Sequence, residues 1–329
     1  MNLKATGRLV VLMLLFTSTA CVPMPVTSTS HTSVPHTSVP LVTATAPAPA
    51  YPAPTGVPPS LTPEPPLAAL VNGQSIYLAD YERKLGQYEA SLPAQGIDPT
   101  SSDGQAHLAQ ARAWVLDVMI EQVMIEQEAA VADVVISDAE VDDYMQEMIA
   151  ESGGEEAFLA KLAEWGETRE DAWQEVRAQM IGMAMTERVV EGVSATAEHV
   201  HARHILLDTS QEAERILAQL QAGADFAALA SAYSQDSSTR ESGGDLGFFP
   251  RGILLAHEVE EAAFALQPGQ FSGVVISSLG YHIVQVIERD PARSVGPESL
   301  RFLQDQAVQE WIKGLWGQAV VQRFVETAP

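Results

Sequence analysis

The chain has 329 residues, a length that suits about two globular domains of ~100–200 residues each. It carries 43 Asp and Glu against 18 Lys and Arg, and the net charge of −25 argues against nucleic acid as a partner, because phosphate binding draws on Lys and Arg. One cysteine excludes an intrachain disulfide framework and a thiolate zinc cluster, while a hydrophobic content of 46% still supports ordinary cores.

Lys4 and Arg8 precede an apolar run of eight residues, Leu9 to Phe16, followed by Ser18-Thr19-Ala20 and Cys21. This is the layout of an export signal, too short to span ~30 Å of hydrocarbon. The position of Cys21 resembles the lipobox of bacterial lipoproteins, in which the cysteine is acylated and becomes the mature N-terminus. Ser18 stands where that family usually has Leu, and ordinary cleavage after Ala20 fits the same residues. Either way residues 1–21 direct the chain out of the cytoplasm, and acylation would make it a membrane-anchored lipoprotein. Residues 22–66 hold thirteen Pro, thirteen Ser or Thr and one charged residue, Glu64, with HTSVP repeated at 31–35 and 36–40. Such a composition cannot bury enough apolar surface to offset its ordering entropy, so a disordered, semi-extended linker is expected.

Residues 67–197 read as mainly helical. Ala68 to Leu85 predicts two short strands around a turn at Asn72-Gly73, then a helix from about Ala79. Trp114, Leu116, Met119, Ile120, Val123 and Met124 recur at helical spacing. Ser137 with Glu140 forms a capping box, Gly153-Gly154 breaks a helix, and Thr168 to Asp171 can cap the next. Seven of the ten methionines fall between Met119 and Met185, either filling a helical core or lining a groove for unfolded polypeptide. The run VNGQSIYLADYERKL (Val71–Leu85) with its following helices resembles the N-terminal chaperone region of extracytoplasmic foldases of the SurA and PrsA kinds. That resemblance implies that the last helix of the chain, within 293–329, packs back on this region. Leu300, Leu303, Val308, Trp311, Ile312, Leu315, Val320, Val321 and Phe324 predict one apolar face over Pro297–Thr327.

The pattern changes at 198–292. Val200–Leu207 alternates as a strand, Thr209 to Glu212 forms a capping box, and Asp225–Tyr233 and Glu258–Leu266 read as short helices. Gly269–Ile276 and Gly280–Val286 read as closing strands. Five pieces occur in order: ARHIL (Ala202–Leu206), FAALASAYSQDSS (Phe226–Ser238), GGDLGFFPRG (Gly243–Gly252), AAFALQPGQFS (Ala262–Ser272) and GYHIVQV (Gly280–Val286). Together they resemble the parvulin family, the PpiC-type peptidyl-prolyl isomerases.

The resemblance implies an α+β fold, with a four-stranded antiparallel sheet and surrounding helices beside the helical SurA/PrsA-like domain. It implies rotation about an X–Pro amide with no cofactor and no metal. His204 and His282 match the paired histidines of the family, Asp236 the position that is Cys or Asp, and Ser277 a hydroxyl joining the histidines. Leu254 or Leu255, Val259 and Phe271 match the apolar wall around the proline ring; Val259 stands where Phe is common. The implied partners are unfolded or partly folded exported polypeptides with X–Pro bonds, and a membrane through the lipid anchor. The alternative is a non-catalytic holdase or secretion accessory lipoprotein that uses the same module to bind peptide.

Overall fold

The computed structural model describes residues 65–326; the export signal, Cys21 and the linker up to Glu64 lie outside them. The described chain enters through a hairpin. Strands β1 (Leu67–Val71) and β2 (Gln74–Tyr77) pair antiparallel across Asn72-Gly73, and both turn residues have positive φ, as a two-residue hairpin of this dipeptide requires. Helix α1 (Leu78–Ser91) follows at once, then α2 (Ser102–Val131), capped by Ser101 Oγ accepting the Gly104 N–H. Helices α3 (Asp138–Glu151) and α5 (Arg169–Glu191) open with reciprocal capping boxes, Ser137 with Glu140 and Thr168 with Asp171. Helix α4 (Glu155–Glu164) starts just after Gly153-Gly154.

Two cores hold this helical body. Val115, Leu116, Ile120, Val123 and Met124 of α2 pack on Ala69, Val71, Ile76 and Tyr81. Val141, Met145 and Ile149 of α3 meet Phe158, Leu162, Ala172 and Val176 of α4 and α5. The methionines serve mainly these cores. Met124, Met145 and Met185 are buried, Met119, Met148 and Met180 half-buried, and Met183 alone of the seven is exposed.

Helix α9 (Pro297–Gln318) returns to the body, where Leu315 and Trp316 pack on the first core and Trp316 Nε1–H donates to Glu121 at 2.8 Å. The helix does not run to Thr327 as its apolar pattern predicts. It stops at Gln318, and β7 (Val321–Arg323) pairs antiparallel with β1, giving a sheet of order β2-β1-β7. Val320 and Phe324 are consequently exposed, not part of a helical stripe. The cause is the open edge of β1, whose backbone groups need partners. Asn72 seals the corner: its N–H donates to Val320 O at 2.9 Å and its Oδ1 accepts the Val320 N–H at 2.8 Å.

Between α5 and α9 lies the second sheet. Strands β3 (Thr196–Leu207), β4 (Asp245–Pro250), β5 (Val275–Ser277) and β6 (Gly280–Ser294) are antiparallel in the order β4-β3-β6-β5. Helices α6 (Ser210–Gln221) and α7 (Phe226–Tyr233) cover one face, where Ile205, Leu207 and Ile283 meet Ile216, Leu220 and Phe226. Helix α8 (His257–Ala265) covers the other, where Val200, Ala202, Val284 and Val286 meet Val259, Ala263 and Phe264. Two local expectations change. The strand read over Gly269–Ile276 shrinks to β5, preceded by an isolated bridge from Phe271 to Gln285. The cap of α6 is one-sided: Thr209 Oγ accepts the Glu212 N–H, but the Glu212 carboxylate faces Arg215 instead of reaching back.

Strands β3 and β6 stay paired to their outer ends, Thr196 opposite Ser294, and Val295 N–H donates to Ala195 O at 2.9 Å. The chain therefore leaves and re-enters the helical body at adjacent points. Among the described residues no helix is long and apolar enough to cross a membrane. Replacing residues 196–294 with a short Gly-Ser linker is expected to leave a soluble helical body that unfolds cooperatively. Circular dichroism against denaturant checks this, and a featureless melt would reject the two-ended assembly.

Candidate active site

The two sequence-predicted histidines come together through sheet register. His204 on β3 pairs with Val284, and Leu206 pairs with His282 on β6, so the imidazoles are diagonal neighbours on the face covered by α8. Their rings stack with centroids 5.5 Å apart and 20° between planes, and the two Nδ1 atoms are 3.3 Å apart. Both are buried, His204 at 7% and His282 at 1% exposure.

Asp236 reaches them from the loop after α7. That loop is stitched to β3: Gln235 N–H donates to Leu206 O at 2.8 Å, and Ser234 Oγ accepts the Leu206 N–H at 3.2 Å. The Asp236 carboxylate then lies 2.7 Å from His204 Nε2 and accepts Thr239 Oγ1–H and Ser238 Oγ–H at 2.6 Å and the Ser238 N–H at 3.0 Å. Ser277 closes the other end, its Oγ 2.7 Å from His282 Nε2 while accepting the Leu279 N–H at 3.0 Å. The Gly243-Gly244 pair also has a local task. Gly244 has φ +82°, and a Cβ there would fall 2.0 Å from the His204 carbonyl oxygen, so no side chain fits where the turn lies against the β3 backbone.

The network has one consistent direction when both rings are neutral. An ionised Asp236 accepts only, so His204 donates from Nε2 and accepts at Nδ1. His282 then donates from Nδ1, and its Nε2 accepts the Ser277 hydroxyl. Burial of Asp236 pushes its carboxyl up, but hydrogen bonds from Ser238, Thr239 and His204 outweigh this and hold it well below the usual carboxylate range. For His282, burial is the main cause and the neighbouring His204 adds to it. Together they lower the group to about 4 against the opposing pull of Glu258 and Asp236.

The apolar candidates divide. Leu254 is half-buried and packs on the α8 cluster, whereas Leu255 stands out of the loop at 90% exposure. Val259 is 2% exposed and sits inside that cluster, so its short side chain backs the wall without presenting a surface. Phe271 packs with the α6–α7 cluster beside Val274 and Tyr281. Leu246, not singled out in the sequence, joins Leu254 on the α8 cluster. Thr239 is a further member that the motif pattern does not single out; its position three residues after Asp236, in a hydroxyl-rich turn, is the one sequence signal for it. His199 and His201 have partners elsewhere, the Ala197 carbonyl and Asp245. In the helical body a cleft of about 390 Å³ opens between β2, α1, α2 and α5, bordered by Ile76, Tyr77, Val118, Met119 and the Lys84–Glu175 ion pair.

The fold and the site define a two-part chain, in which a SurA-like body carries a PpiC-type α+β domain. A family profile described as a PPIC-type PPIASE domain matches residues 185–290, and one described as a SurA-like N-terminal domain matches residues 60–162. Foldase protein PrsA of Caldanaerobacter subterraneus subsp. tengcongensis is 31% identical over 238 residues, covering 67% of this chain and 72% of that protein. Foldase protein PrsA of Halalkalibacterium halodurans is 35% identical over 178 residues, 49% of this chain and 53% of that one. On these matches the chain belongs to the PrsA foldase family. The crystal structure of peptidylprolyl isomerase (PrsA) from Bacillus cereus aligns at 25% identity with a TM-score of 0.42, covering 73% of this chain and 82% of that one.

The lowered His282 group ties stability to pH. Below its ordinary value of 6.5 the unfolded chain takes up a proton that the native ring refuses until about 4, so stability falls as pH drops through this window. A shift of this size corresponds to about 3 kcal/mol. Asp236 acts in the same sense lower down, its stabilisation present above about pH 4 and fading below. Denaturant unfolding at pH 7 and pH 4.5 is expected to show a larger loss in the wild type than in His282→Asn. Equal losses would mean that this imidazole is not shielded from protons.

Proposed function

We propose that the chain is a peptidyl-prolyl cis-trans isomerase joined to a polypeptide-binding body, assisting the folding of exported proteins outside the cytoplasm. The observation that carries this reading is the continuous chain Asp236–His204–His282–Ser277 beside a half-buried apolar wall. Rotation about an X–Pro amide meets a barrier of about 18–20 kcal/mol set by amide resonance, and it breaks no bond. No nucleophile is needed; the catalyst must bind the twisted amide better than either planar form. Twisting reduces carbonyl charge and makes the nitrogen more basic, so a site that withdraws water favours it. In this reading Leu254 holds the pyrrolidine ring with Val259 behind it, while Phe271 supports the sheet from the α6–α7 side. His204, His282 and Ser277 form a fixed polar floor, and Asp236 sets its direction.

The proposed division follows the chain: a helical chaperone-like domain at 67–197, the isomerase domain at 198–292 and a C-terminal segment at 293–329. The cleft bordered by Met119 and Tyr77 is the proposed contact for extended client polypeptide. Acylation at Cys21 would tether the protein to a membrane; labelled palmitate is expected in the wild type and absent in Cys21→Ser, and label persisting in the variant would reject that site.

The central test is turnover of a proline peptide by the chain lacking residues 1–66. Asp236→Ala and His204→Ala are expected to lower kcat/KM on the order of 10–100-fold by misorienting the floor. Equal rates in all three proteins would favour the holdase reading over the enzymatic one.

A further inference from the structure

The loop between β4 and α8, which carries Leu254, is held by a buried acid that the isomerase chemistry does not use. Glu260 on α8 is 2% exposed. Its carboxylate turns back under the loop and accepts backbone hydrogen bonds from three successive residues. Gly252 N–H lies 2.9 Å from both Oε1 and Oε2, Ile253 N–H 3.1 Å from Oε2, and Leu254 N–H 3.2 Å from Oε2. Consecutive N–H groups converging on one point make an anion-binding concavity, and here the anion is the protein's own side chain. The nearby cation does not compete for it, since the Arg251 guanidinium lies over the Phe264 ring at 4.1 Å.

The other side of the loop is closed by α9. Gly252 has φ +85°, and a Cβ there would lie 2.8 Å from Leu303 Cδ2 and 3.2 Å from Gln306 Oε1. The loop backbone is thus fixed between Glu260 and the C-terminal helix. This matters for the two adjacent leucines. Leu254 packs inward and Leu255 is 90% exposed.

We propose that Glu260 is a positioning residue for proline recognition. It holds the Gly252–Leu254 N–H groups so that Leu254, and not Leu255, supplies the apolar wall. The inference rests on the isomerase reading and adds to it the device that sets the wall.

Glu260→Gln keeps the side-chain volume but accepts at one oxygen only and turns an amide donor toward Gly252 N–H. It is tested with Leu254→Ala and the double variant, by kcat/KM on a proline peptide well below the lowest melting temperature. Glu260→Gln is expected to lose about tenfold, chiefly in KM, with the pH profile unchanged. In the Leu254→Ala background it should cost less than about twofold, because the two residues act through one surface. Additive losses, an altered pH profile, or a Glu260→Gln enzyme equal to wild type would overturn the inference while leaving the isomerase reading intact. A wild type inactive on every proline peptide would instead remove both. The wild type supplies a readout independent of how the variants fold. Titration with the peptide should shift the Leu254 methyl signals, and unmoved Leu254 methyls in an active enzyme would overturn the proposal.

Discussion

Asp236 can only accept hydrogen bonds, and its carboxylate lies 2.7 Å from His204 Nε2. With both rings neutral, that single contact fixes the proton on one ring nitrogen, which fixes the donor on the next ring, which fixes the direction of the Ser277 hydroxyl. The anchoring is mutual. Ser234 and Gln235 bind the Asp236 loop to β3, and Gly244 lets a second loop lie against the same stretch of strand. Polar groups buried at this depth are tolerable because each has a partner, and among the described residues no buried side-chain nitrogen or oxygen lacks one. Under the proposed isomerase function, rigidity is what such a floor would contribute to a rotation with no covalent step. A surface that complements a twisted amide must not relax to fit the planar one.

The rest of the molecule serves this arrangement from two sides. The sheet carrying the histidines is closed by α6 and α7 on one face and by α8 on the other, so its core is complete within one continuous stretch of chain. The helical body is built differently. Its sheet takes two strands from the start of the described chain and one from its end, with Asn72 clasping Val320 across 248 positions. The C-terminal helix belongs to both: Trp316 is fastened to the body through Glu121, while Leu303 closes over Gly252.

Much of this was legible in the sequence where the causes are local. The capping pairs Ser137/Glu140 and Thr168/Asp171 and the Asn72-Gly73 turn depend on residues within three or four positions of each other, and they form as read. His204 and His282 are 78 positions apart, and only the order of the motifs resembling the parvulins suggested that they meet. Where prediction failed, a distant partner had intervened. The stripe that promised helix to Thr327 gives way because β1 offers an edge to Val321, and Glu212 abandons its cap for Arg215. Whether Leu254 or Leu255 turns inward was undecidable from an apolar doublet, since the answer lies in backbone donors aimed at Glu260. The depth of Val259 was equally hidden, because a composition does not reveal how far a short side chain recedes.

The placement of β7 also dictates an order of assembly for a chain that emerges from its N-terminus first. The β1–β2 hairpin must wait with one edge unsatisfied until the final residues arrive, whereas the histidine-bearing sheet has every strand it needs as soon as Ser294 is out. A newly translocated molecule can therefore acquire its compact middle before its own two ends have closed.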